Sequence, residues 1–326
     1  MRRRFETRPR RITLVVSVMA AVAYVTFFRP AEGLGARSVR LGALAAYPAA
    51  DAFGKSGRLR MRFALPGVPV DYPIEVQGGL ADVRYSWVAR GDSVATGQPR
   101  PLVDGLIAPD APGFYHLQLS LDGERRLVTD PPLAVMVPRS EKKGPELNGY
   151  KMGYYRGDRA RRTDPEAPAG FVQIDTMDVD LPLSANLRLA HFITHDRQST
   201  WPRYAAVDPR LIDKVELILS EIASWTGASD PDPVPFDVHS AFRTPLHNRL
   251  VRSSARDSRH QLGDAIDIAV DANRDGRVNS RDARLVALAV DIVERSHPDL
   301  VGGMGVYSRG SYVHIDARGK KVRWRG

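Results

Sequence analysis

The sequence predicts an α+β domain, a small antiparallel sheet with helices, preceded by an all-β sandwich and an N-terminal membrane helix. Three observations lead there. An uncharged run follows an arginine cluster at the N-terminus. Apolar and polar residues alternate with period two between residues 38 and 140. Helical and strand patterns are mixed from residue 171 onward.

The first eleven residues, Met1 to Arg11, are basic and are expected to remain cytoplasmic. The run from Ile12 to Phe28 carries no charge. Its length is at the short end of a transmembrane helix, so 12–28 is expected to be a single-pass inner-membrane anchor with the body of the protein in the periplasm. A cleaved signal peptide is the alternative, with Leu34-Gly-Ala36 as a small-residue site; it would export the same body.

Residues 38–140 predict an immunoglobulin-like sandwich. Strand alternation is clear in 58–65, 83–88 and 114–121, and turn chemistry separates these runs at Pro66-Gly67, Gly78-Gly79, Pro109 to Gly113 and Asp122-Gly123. Nothing in this segment has catalytic spacing, and its partner is unknown. Residues 141–170, charged and rich in Gly, Pro and Tyr, read as a linker.

The last domain spans 171–326. Asp208-Pro209 opens a helix, because Asp caps free N–H groups and Pro fits the first turn. Leu211, Val215, Ile218, Leu219 and Ile222 then line one face. A strand is expected at Phe236 to Ser240, a second amphipathic helix from Ala283 to Val293, and a short strand from Tyr312 to Asp316. No internal repeat is present.

Composition excludes several functions. The chain of 326 residues has no cysteine, which rules out thiolate metal sites, disulfides and a cysteine nucleophile. The net charge of +9 is concentrated at one end: residues 1–30 hold seven Arg and one Glu, leaving 40 basic against 37 acidic residues elsewhere. A nucleic-acid partner would need a basic face on the folded body, and none is visible in the sequence.

The most informative residues lie in Ser258 to Ile268 and Tyr312 to Asp316. A zinc that activates water takes three protein ligands and keeps a fourth position open. His260, Asp267 and His314 supply two imidazoles and a carboxylate for that purpose. On a strand, Asp267 shares a face with the small Ala265 and Ala269, and His314 with Tyr312 and Asp316, while Val313 and Ile315 turn to the core. A strand histidine is also commonly a satisfied structural residue, so spacing alone leaves both readings open.

From about Leu183 to Trp324 the chain resembles the zinc D-alanyl-D-alanine carboxypeptidase and murein endopeptidase family, whose fold is shared by the hedgehog signalling domain. The pattern S-x-H-x-x-G-x-A-x-D-[IL] is met by Ser258, His260, Gly263, Ala265, Asp267 and Ile268. S-x-[FY]-R-[TS]-P-x-x-N is met by Ser240, Phe242, Arg243, Thr244, Pro245 and Asn248. V-H-[IV]-D-x-R-G-x-x-x-R-W is met by Val313 to Asp316, Arg318, Gly319, Arg323 and Trp324. The resemblance implies Zn2+ on His260, Asp267 and His314, with Arg243 clamping a carboxylate or carbonyl of a peptidoglycan peptide. Many relatives place an acidic or His residue two or three positions before the last zinc histidine, where this chain has Tyr312 and Ser311. Asp316 is therefore the expected general base or orienting partner, and Tyr312 an alternative donor to the tetrahedral intermediate. His239, His247 and His297 fit no ligand role. His191 and His195 are near the start of the domain without an assigned one.

A second metal is suggested by residues 271–282. Asp271, Asn273, Asp275, Asn279 and Asp282 stand at positions 1, 3, 5, 9 and 12 of an EF-hand-type loop, with Gly276 at 6 and Arg277 at 7. The loop resembles the dockerin variant and is expected to hold a structural Ca2+ that fixes the strand bearing Asp267. A polar Asx-rich turn is the alternative. Together these readings predict a membrane-anchored zinc peptidase acting on peptidoglycan, as carboxypeptidase or endopeptidase. The rivals are a catalytically weak peptide- or wall-binding module and an adhesion protein working through its β domain.

Overall fold

A computed structural model describes residues 54–72, 82–158, 166–226, 234–252, 254–307 and 311–326. The expected anchor at 12–28 lies outside them. Among the described residues no helix is long and apolar enough to cross a membrane.

The N-terminal unit contains β1 (Arg62–Ala64), β2 (Pro69–Val70), β3 (Arg84–Ala89), β4 (Ala95–Pro101), β5 (Leu106–Ile107), β6 (Gly113–Leu121) and β7 (Glu124–Val135). Alternation sets its packing: Leu117, Leu119 and Leu121 of β6 are buried, and Gln118 and Ser120 between them are not. Asp122 and Gly123 both take positive φ in the β6–β7 hairpin, as a type I′ turn requires. The sheet order is β1-β7-β6-β3-β4, with β1 parallel to β7, and β2 and β5 form a separate two-stranded ribbon. The Trp87 Nε1–H donates to the Ile107 carbonyl at 2.7 Å and ties ribbon to sheet.

The described residues do not confirm the expected immunoglobulin-like sandwich. Among the described residues there is one five-stranded mixed sheet and one short ribbon. Proline at 66 and 69 limits ladder donors on that side. The run 58–65, read as one strand, divides its pairing: its end forms β1, but Leu59 bridges to Ser184 and the Arg60 N–H donates to the Leu183 carbonyl, both in the C-terminal unit.

The segment 141–170, read as a linker, carries short strands. After β8 (Val137–Pro138) come β9 (Glu146–Leu147), β10 (Tyr150–Lys151) and β11 (Gly170–Ile174), and β11 pairs with both β8 and β12 (Arg203–Ala205). Leu147, Tyr150, Met152 and Tyr155 are buried in the large C-terminal core. Their aromatic and apolar side chains make the segment structural despite its charge. Gly153 (φ 88°) lies so close to the next layer that a Cβ there would stand 2.6 Å from the Leu246 nitrogen.

The C-terminal unit adds α1 (Pro209–Trp225), β13 (Phe236–Ser240), α2 (Pro245–Asn248), β14 (Ala265–Val270), α3 (Ser280–Ser296), β15 (Gly303–Tyr307), β16 (Tyr312–Asp316) and β17 (Val322–Arg325). The strands run in the order β13-β14-β16-β15-β17, antiparallel except for β15 and β17. Asp208 caps α1 by accepting the Arg210 N–H, with Pro209 in the first turn, as expected. Ile266, Ile268, Val313 and Ile315 turn into the core with residues of α1 and α3. The opposite face of β14 and β16 is therefore free to carry polar side chains. Buried Lys214 on α1 donates to Glu294 on α3 and to the Asp316 carbonyl, each at 2.8 Å, and so fixes the end of β16.

Candidate metal centre

His260 lies in the short turn Arg259–Leu262, which ends at Gly263 in the left-handed region (φ 77°). A Cβ at Gly263 would meet Ala206 at 2.4 Å, so both conformation and close approach favour glycine there. The turn delivers a fully buried imidazole beneath β14. Asp267 and His314 are register partners on the central strands β14 and β16. Among the described residues, these three form the single group of acidic, His or Cys side chains able to hold a metal ion.

The three donor atoms converge closely. His314 Nδ1 is 2.8 Å from Asp267 Oδ1, His260 Nε2 is 3.2 Å from the same oxygen, and the two nitrogens are 3.1 Å apart. Outer partners decide where the protons sit. His260 Nδ1 faces the Ala241 carbonyl at 2.5 Å, and a carbonyl only accepts, so that nitrogen carries the hydrogen. His314 Nε2 faces the Asp316 carboxylate at 3.2 Å and carries its hydrogen for the same reason. Three lone pairs then point at one another, an arrangement that calls for a cation.

The electrostatics agree. Burial would raise the Asp267 carboxyl, but the neighbouring His260 and His314 rings hold it far below the usual range. Burial lowers His260. His314 is also penalised by burial, yet Asp267 and Asp316 raise it above an ordinary imidazole. Positive charge is thus favoured at the point where the donors meet. Two neutral nitrogens, one carboxylate oxygen and no sulfur fit Zn2+ with a position left for water or substrate.

The sequence-predicted residues divide into three groups. His260, Asp267 and His314 are brought together. Arg243 is beside them but is engaged: its Nη2 donates to Asp267 Oδ2 at 2.6 Å and its Nε to Ser240 Oγ at 2.7 Å. It therefore turns Asp267 so that Oδ1 faces the imidazoles. Asp316 is fully buried and ringed by donors, accepting from the Gly303 N–H at 2.7 Å and from the Arg318 guanidinium. Those contacts, against the cost of burial, keep it ionised well below the usual range. It orients His314, so the geometry supports the orienting partner and not the base. Tyr312 sits at the edge of the same face, and burial and the Asp267 charge raise its phenol, which stays a proton donor.

The calcium positions are not gathered. Asp271 accepts from the Asp275 and Gly276 N–H groups, Asn273 from Asp275, and Asp275 from Arg277. Asn279 caps α3, and Asp282 accepts the Ala272, Asn273 and Asn279 N–H groups. The capping pair starts α3 three residues before the expected Ala283. Among the described residues these carboxylates form no convergent ligand group, and backbone N–H groups bond to their oxygens, so the structure gives the calcium reading no support.

Sequence reasoning missed an aromatic rim. The Trp324 ring lies 5.1 Å from that of His314, and its Nε1–H donates to Tyr307 Oη at 3.0 Å. Tyr307 stacks on Tyr312 at 4.7 Å, and the exposed His239 ring is 5.2 Å from Tyr312. The missing information was the β15–β16 register, which makes Tyr307 and Tyr312 cross-strand neighbours. His191, left without a role by the sequence, accepts the Arg188 N–H and packs edge-on to Phe236.

Comparison with known proteins places this centre in a familiar segment. Residues 183–324, which contain every ligand and outer partner just described, match the family Peptidase_M15_2, described as peptidoglycan L,D-endopeptidase MepK. Among solved structures, the crystal structure of Serratia marcescens L-Ala D-Glu endopeptidase ChiX is similar at 24% identity. That match covers 30% of this chain and 68% of that one, with a TM-score of 0.23. No curated protein matches.

Proposed function

We propose that this chain is a zinc-dependent endopeptidase that hydrolyses a peptide bond in peptidoglycan. The observation that carries the reading is the convergence of three buried acceptors, two of them with their protons committed outward to Ala241 and Asp316. The family match over 183–324 supports the substrate class, and its description favours endopeptidase over carboxypeptidase action. When bound, zinc supplies a Lewis acid and a water whose pKa falls to about 7.

The chain's own residues do the positioning. Ala241 and Asp316 hold the two imidazoles in the tautomers that present bare nitrogens. Arg243 steadies Asp267 and is near enough to the centre to meet a substrate carbonyl or carboxylate. Tyr312, kept as a phenol, is placed to donate to an oxyanion forming at the scissile carbonyl. The aromatic rim of Tyr307, Tyr312 and Trp324 excludes water from one side. The uncharged run 12–28 would hold this body on the outer side of the inner membrane, where murein is accessible.

A second reading, a zinc-containing module that binds peptide with slow turnover, has one observation in its favour. Asp316, the acidic side chain on the His314 strand, is committed to Arg318 and Gly303 and is not free to take a proton from water. The full-length chain, extracted in mild detergent without chelator, should be incubated with purified muropeptides with and without 1,10-phenanthroline. Cleavage products that vanish with the chelator are expected, and their masses identify the bond. Folded, zinc-containing protein that yields no product would reject the peptidase and leave the binding module.

A further inference from the structure

A large groove among the described residues does not open on the three ligands. It has a volume of about 1290 Å³ and lies behind the turn that carries His260: Ser258, Arg259, Gln261 and Leu262 line it, while His260 points away to Asp267. Its cations are Arg156, Arg249, Arg256, Arg259, Arg318 and Lys320, against the acids Glu166 and Asp257. Arg259 is committed to Asp264 and Arg318 to Asp316. The head groups of the other four have no partner among the described residues. A groove in which cations outnumber acids, with concave walls, concentrates field for an anion.

Two further atoms define the ligand more narrowly. Tyr155 and Asn248 also line the groove and are 5% and 2% exposed. Tyr155 Oη and Asn248 Oδ1 are buried and lack a hydrogen-bond partner among the described residues. The other end of Asn248 is fixed, its Nδ2 donating to the Ala255 carbonyl at 3.0 Å. Unpaired polar atoms of this kind cost stability unless something meets them. An amide oxygen needs a donor, which a bare carboxylate at neutral pH does not provide. A ligand matching the whole groove carries carboxylates for the arginines and N–H groups for Asn248.

We propose that this groove is a second, non-catalytic site that binds an acidic peptide. The arginines and Lys320 take its carboxylates, Asn248 Oδ1 accepts a backbone N–H, and Tyr155 Oη donates to a carbonyl or carboxylate oxygen. If the chain works on peptidoglycan, the natural ligand is a stem peptide next to the one being cut; only that identification rests on the function proposed above.

The test is fluorescence polarisation with a labelled peptide of alternating Ala and Glu, and its Gln counterpart as control. Full-length protein stripped of metal with 1,10-phenanthroline reads the groove without turnover, so failure of the peptidase reading does not touch the result. The expectation is saturable binding of the Glu peptide, weakened about tenfold or more in the double variant Arg249→Gln/Arg256→Gln and for the Gln peptide. Tyr155→Phe removes one oxygen and is expected to weaken binding by about threefold while leaving the fold intact. Unchanged affinity in the double variant would overturn the proposal. So would inorganic tripolyphosphate that binds as tightly as the peptide while Tyr155→Phe has no effect on either, because the groove would then be a non-specific anion surface.

Discussion

At the scale of single residues, the centre is organised by side chains outside the three candidate ligands. Asp316 holds the His314 Nε2 hydrogen, and Arg318 and the Gly303 N–H hold Asp316. Asp316→Asn keeps the shape but weakens the charge that favours a cation on His314. Zinc affinity should fall by about 10- to 100-fold, the range for loss of an outer partner of a metal ligand. Titration against a zinc-chelating dye measures this, and activity should largely return at saturating zinc. A rate that stays low when zinc is saturating would instead make Asp316 the base. Tyr312→Phe separates a different role. Its phenol oxygen touches no ligand, so zinc affinity should not change, whereas kcat should fall by about 100-fold with KM nearly constant if the phenol serves the oxyanion. A KM effect alone would make Tyr312 a wall of the cleft.

At the scale of elements, the sequence was readable wherever pattern and partner lie in one segment. Asp208-Pro209 announces α1, and alternation in Val313 to Asp316 announces which side chains reach the cleft. It was unreadable where a partner is distant. The segment 141–170 looks like a linker because its charges outnumber its apolar residues, yet Leu147, Tyr150 and Met152 pack under residues more than forty positions away. One polar clasp shows how it is held: Asp196 accepts from Tyr150 Oη at 2.8 Å, from Arg203 Nη1 at 2.5 Å and from Gln198 Nε2 at 2.7 Å. Burial opposes the Asp196 charge, but these donors outweigh it and lower its pKa below the usual carboxylate value. A depressed carboxyl stabilises the fold above its unfolded pKa, about 3.9, and that contribution disappears as pH falls through the lower, folded value. Asp196→Asn should therefore be less stable than the parent at pH 7, and the gap should narrow below about pH 4. Urea midpoints of the two proteins at both pH values check this; a constant gap would mean the clasp acts by shape alone.

At the scale of the whole molecule, the N-terminal unit has a core of its own around Trp87, Leu117 and Leu133, yet it also contributes side chains to the core beyond the boundary suggested near residue 171. Leu59, Met61, Phe114 and Ala134 from the N-terminal unit share one apolar cluster with Phe171, Phe242 and the residues beneath the metal centre. β8 supplies an edge to β11, and the Arg90 guanidinium pairs with Asp178 at 2.7 Å across the junction. Tyr155, Phe171 and Phe242 form a line of rings, with centroids 5.9 and 6.4 Å apart, that ends one residue before Arg243. Removing residues before 171 would expose Phe171 and leave β11 without one neighbour. Each large apolar side chain exposed costs roughly 1.5–3 kcal/mol, and a domain has only about 5–15 kcal/mol in reserve. A fragment of residues 171–326 is therefore expected to lose fixed packing, with weak near-ultraviolet circular dichroism and poor zinc retention. One beginning at residue 54 should unfold in a single cooperative transition and retain the metal. If the shorter fragment instead melted cooperatively and held zinc with undiminished affinity, the shared cluster would be an interface between two domains, and the β unit would be free to evolve its own partner.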